Sequence, residues 1–87
     1  MTLSFPNRSR RFDEARNAVR FIGHDGMFEV PFFVETAVLS RSHSVQLSEE
    51  EFLSAFDAAR SSIHDAAKKA YSHRRRASYL LTASDFR

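Results

Sequence analysis

From Leu47 onward the chain carries an amphipathic stripe that fixes much of how it can fold. Phe52, Phe56, Ala59, Ile63, Ala66 and Ala70 follow one another at spacings of four, three, four, three and four residues, which lines them along one helix face. Ser48-Glu49-Glu50-Glu51 just ahead reads as a capping box. In it the Ser48 hydroxyl accepts from one orphan amide and the Glu51 carboxylate reaches back to another. Leu47 and Phe52 occupy the two positions of a hydrophobic staple, and three acids in the first turn suit the positive end of the helix dipole. No Gly or Pro intervenes before Arg76, so the spacing predicts one helix of about 28 residues, about 42 Å long. A strand of about seven residues spans only about 23 Å. The Phe-bearing first half is therefore expected to pack, and the Ala-rich basic half from Ala66 to overhang.

The partner of that helix face is read from the first half of the chain. Ala18-Val19-Arg20-Phe21-Ile22 and Met27-Phe28-Glu29-Val30-Pro31-Phe32-Phe33 are two strand-like runs joined through Asp25-Gly26. Asp-Gly is turn chemistry, because Gly takes positive φ at no steric cost. Alternation puts Phe28, Val30 and Phe32 on one face of the second strand. Pro31 cannot donate a ladder bond, which predicts an edge or a bulge there. Leu3-Ser4-Phe5 is a short strand ended by Pro6, residues 7–16 read as a polar Arg-rich loop, and Tyr79-Leu80-Leu81-Thr82-Ala83 is apolar enough for a closing strand beside the hairpin. Val34 to Leu39 suits a short helix. The fold class that follows is α+β in two layers. A mainly antiparallel sheet of three to four strands carries one short and one long helix on one face, in the order β-β-β-α-α-β. Phe32 and Phe33 are neighbours, so they point to opposite faces. Helices on one face alone would leave one ring exposed, at an interface, or under the N-terminal loop.

Eighty-seven residues, 43% of them apolar, make one domain spanning residues 1–87. There is no cysteine, so disulfides, thiolate metal sites and thiol nucleophiles are excluded. No run of about 18 apolar residues occurs, and Met1 to Arg8 lacks the apolar stretch of a secretory leader. A cytoplasmic protein is the expectation. Gly23 and Gly26 are the two glycines, too few for a phosphate-cradling loop, and neither a Gly-x-Ser-x-Gly elbow nor a His-Glu-x-x-His helix is present. His64 and His73 lie nine apart, half a turn round a helix from each other, so they share no metal, and each reads as a solvated surface residue. Asp25 reads as a residue stabilising its own turn. No enzyme activity, cofactor or metal is expected.

Certain residues resemble a bacterial family, the Domain of Unknown Function 1488. They are Phe12-Asp13 with Val19-Arg20-Phe21, then Val30-Pro31-Phe32-Phe33-Val34 leading into Leu39. Phe56-x3-Arg60-x2-Ile63-x3-Ala67 and Tyr79-Leu80-Leu81 complete the set. The likeness covers nearly the whole chain. Trp often stands in that family where this chain has Phe12, and Cys where it has Pro31. The resemblance implies a two-layer α+β architecture, a mainly antiparallel sheet with helices on one side, and it assigns no function.

Charge distribution supplies the one functional hint. Residues 1–20 carry a net +3, residues 21–59 a net −6 and residues 60–76 a net +5. Arg60, Lys68, Lys69, Arg74, Arg75 and Arg76 could pair with phosphates or with an acidic partner, with Tyr71 available for stacking. Cations at a helix C-terminus also complement the dipole and the last carbonyls, but three consecutive arginines exceed that need. The stripe beside them is Ala, which is too small for membrane insertion, so no membrane partner is expected. The leading expectation is a non-enzymatic interaction module that binds a protein partner or itself. The alternative is an accessory nucleic-acid or anion binder working through residues 60–76.

Overall fold

The computed structural model describes residues 3–40, 47–73 and 76–86. The strands are β1 (Leu3–Ser4), β2 (Arg10–Asp13), β3 (Ala18–Asp25), β4 (Phe28–Glu35) and β5 (Tyr79–Leu81). Between β4 and β5 come the helices α1 (Thr36–Leu39), α2 (Glu49–Ala58) and α3 (Arg60–His73), and a 3₁₀ turn at Ala83–Phe86 ends the described chain. β3 and β4 form the hairpin, with Ile22 opposite Pro31, turning through Gly26 at φ +63°.

The sheet has five strands and is mixed, not wholly antiparallel. β1 and β2 both pair with β3, at opposite ends of it, so the stretch read as an Arg-rich loop contains a strand. β5 runs parallel to β4, with Phe33 opposite Leu80. The physical reason is the crossover: the chain leaves β4, passes through the helical layer and re-enters at the starting end, which imposes the same strand direction. Pro31 falls just outside the part of β4 that β5 pairs, so that flank is an open edge there.

The expected single helix is two limbs meeting at Ala59, whose φ of −105° and ψ of 13° leave the helical region. The Ala59 amide still bonds the Ala55 carbonyl and the Ile63 amide bonds the Ala59 carbonyl, so the ladder bends without opening. Neither Gly nor Pro causes the bend. It lets α2 lie across β2 and β3 while α3 lies along β5 and the 3₁₀ turn. As far as His73, the basic half does not overhang. Ala66 and Ala67 are buried and Tyr71 is half-buried, because small side chains bring α3 close to the sheet. The capping box is formed, with Ser48 N–H donating to Glu51 at 2.8 Å and Glu51 N–H to Ser48 at 3.2 Å.

Phe21, Phe32, Phe56, Ile63 and Leu81 form the centre of the core between the sheet and the helices. Phe21 lies 5.4 Å from Phe32 and 5.1 Å from Phe56, ring centre to ring centre. Gly23 admits β1 to this layer: a Cβ there would come within 2.9 Å of both Leu3 and Phe5 side chains. Phe28 shares the strand face of Val30 and Phe32, yet it lies past the end of the core and is 77% exposed.

Candidate interaction surfaces

Among the described residues, those singled out for anion binding do not form one surface. Arg60 opens α3 with only 9% exposure. Its Nη2 donates to the Asp57 carboxylate and, at 3.1 Å, to the Arg8 carbonyl, and its guanidinium lies 4.9 Å from the Phe56 ring centre. Arg10 from β2 grips the same carboxylate with two hydrogen bonds of 3.0 and 2.8 Å. Hydrogen bonds from Arg10 first, and then from Arg60, hold Asp57 below the usual carboxylate range. Arg60 is thus a structural cation withdrawn from solvent. The helix-face stripe could not reveal this, since the partner groups come from β2 and the chain just before it.

Tyr71 is also committed within the domain. Its hydroxyl donates to Asp25 at the end of β3, and its ring meets Tyr79 edge-on at 6.0 Å. Asp25, read as a turn stabiliser, therefore ties the hairpin to α3. Lys68 and Lys69 are exposed, as is Arg76, while Arg74 and Arg75 lie outside the described residues. His73 Nδ1 stands 2.8 Å from the Lys69 carbonyl at the end of α3.

His64 is not the solvated surface residue that its position suggested. Its ring stacks on Phe5 at 4.0 Å with a 9° interplanar angle, and Phe21 is 5.9 Å away. Burial, followed by the positive charges of Arg60, Lys68 and Arg8, lowers its pKa from 6.5 to about 4, and Asp65 opposes them. The unfolded chain takes up a proton near pH 6.5 that the folded ring refuses until about pH 4, so stability falls as pH drops across that window. With solvent at the open edge of the ring, the loss is on the order of 1–2 kcal/mol. Urea melts between pH 7.5 and 4 should show this slope, and His64→Phe, which keeps the ring stack, should flatten it.

Opposite the helices lies the other face of the sheet. One row across it reads Arg11, Arg20, Phe33, Leu80 and the next is centred on Ile22 and Pro31. Among the described residues no helix covers this face. Phe33 is nonetheless only 8% exposed. The turn between β2 and β3 brings the Arg16 guanidinium to 4.6 Å from its ring centre, and Asp13 holds Arg16 by an ion pair of 3.1 Å. Part of the N-terminal segment thus covers the ring. Leu80, next to it in the row, remains 52% exposed. A second apolar feature is the hairpin tip, where Met27 is 97% exposed beside Phe28. Strand alternation signalled the open face, but which ring Arg16 covers depends on a turn closed by Asn17 at φ 54°.

Among the described residues no helix is long and apolar enough to cross a membrane. A search of the curated proteins found no match. Among solved structures the chain resembles a crystallised protein of unknown function from Shewanella loihica PV-4, of the DUF1488 family. The TM-score is 0.79 at 17% identity, over 93% of this chain and 94% of that one, which is a likeness of fold. The sequence profile described as "Protein of unknown function (DUF1488)" matches residues 3–82, and the chain belongs to that family.

Proposed function

We propose that the protein is a small non-enzymatic interaction module of the cytoplasm, docking a protein partner or a second copy of itself on the helix-free face of its sheet. The observation that carries this reading is the exposed Leu80 beside Phe33, with Ile22 and Pro31 in the adjoining row. Clustered apolar side chains on an open sheet face are the usual mark of a contact surface, whereas single scattered ones are not. The anion-binding alternative has less support, because Arg60 and Tyr71 are engaged inside the domain.

The test is a photo-crosslinking residue placed at position 80, and separately at Ala58, which is exposed on the helical layer. In the native cell, protein adducts are expected from position 80 and not from position 58. Equal or absent yields at the two positions would overturn the reading.

A further inference from the structure

We propose that residues 3–8 are an acid-released latch: proton uptake by His64 frees them as one unit while the rest of the domain stays folded. Among the described residues β1 meets β3 through two residue pairs, Leu3 with Asp25 and Ser4 with His24. What holds it is the side-chain layer. Phe5 stacks on His64 at 4.0 Å and lies 5.9 Å from Phe21 and 6.0 Å from Phe32, ring centre to ring centre. Leu3 and Phe5 also rest on the bare backbone of Gly23. The last tie is the hydrogen bond from Arg60 Nη2 to the Arg8 carbonyl. Beyond it the chain is fastened differently. β2 opens at Arg10 with four residue pairs to β3, and Arg10 holds Asp57 with two hydrogen bonds. Release therefore stops at Ser9, which gives the latch a defined hinge end.

Of the three rings around Phe5, His64 alone can gain a charge. An imidazolium would be attracted to the Phe5 face. It would also be half-buried among cations. Arg60 and Lys68 flank it on α3, Arg8 faces it from the latch, and Asp65 opposes them. Burial and the positive charges outweigh the attraction of the ring, so the closed form resists the proton. Opening withdraws Phe5 and carries Arg8 away, which returns water to the imidazole and removes one of the cations around it. Protonation therefore favours the open form by the same linkage that favours the unfolded chain. The opened latch bares the β3 edge at His24 and Asp25 together with the flanks of Phe21 and Phe32.

Native-state hydrogen exchange of the full chain, read amide by amide over a series of low urea concentrations, tests this. The amides bonded between β1 and β3 should exchange through an opening that urea hardly affects, whereas those between β3 and β4 should need the urea-sensitive global one. From pH 7 to pH 4 the low-urea opening should become at least about tenfold more populated, once the intrinsic exchange rate at each pH is divided out. His64→Phe, which keeps the stack, should lose this response, and so should His64→Gln, which takes up no proton either. His24 and Asp25, the titratable residues across from β1, remain in both variants, so a response arising from them would persist. Circular dichroism would check that each variant is folded. Three results would each overturn the inference: β1 amides that exchange only with global unfolding, a low-urea opening indifferent to pH, or a response that survives in a folded His64 variant.

Discussion

Phe56→Ala should cost about 3–5 kcal/mol in a urea melt, the range for an emptied aromatic core site. The ring is fully buried in α2, one residue before Asp57, and touches Phe21 on β3. It is also the surface on which the Arg60 guanidinium lies, so its removal opens a cavity and unseats a buried cation together. A domain of this size has roughly 5–10 kcal/mol of total stability. The variant should therefore be partly unfolded at 37 °C. Phe56→Leu, which keeps most of the volume, should cost about half as much or less. A loss under 1 kcal/mol for Phe56→Ala would show that α2 does not pack through this face.

The positions just discussed mark what the sequence can and cannot disclose. Phe52, Phe56 and Ile63 were legible because a periodic stripe, a capping box and a staple agree on one face, and local signals of that kind need no tertiary information. β2 was not legible. Arg10-Arg11-Phe12-Asp13 has the polarity of a loop, and it is a strand because Phe12 can stack on Phe52 while Arg10 reaches Asp57. The elbow at Ala59 escaped for the same reason: no helix breaker encodes it, and the bend follows from fitting two limbs to different parts of one sheet. The candidate surface was half legible. Adjacent Phe32 and Phe33 must face opposite ways, so an aromatic on the outer side followed from alternation. That Arg16 would cover it, and that Leu80 would be left bare, required the register of β5 against β4.

Asp57→Ala should be the more informative lesion, costing about 2–3 kcal/mol, because it strands Arg60 rather than merely removing a bond. With the carboxylate gone, the buried guanidinium keeps one hydrogen bond, to the Arg8 carbonyl, and its Nε already has no partner among the described residues. Arg60→Met should cost less, since Asp57 is 39% exposed and retains the two bonds from Arg10. The double variant should then be more stable than Asp57→Ala alone. An apolar side chain of similar length tolerates the site that an unpaired cation does not. Double-mutant analysis of melts should give a coupling of at least about 1 kcal/mol between the two positions. Strict additivity would show that the ion pair contributes nothing to the junction of α2 and α3. Acid titration separates this network from His64. A carboxylate held below its ordinary value of 3.8 contributes stability that is complete above that value and is lost as pH falls through its lower folded value. The loss at Asp57 therefore begins where that of His64, between pH 6.5 and about 4, has ended. Wild type should lose stability in two successive steps on acidification, His64→Phe should abolish the upper step, and Asp57→Ala with Arg60→Met should diminish the lower one.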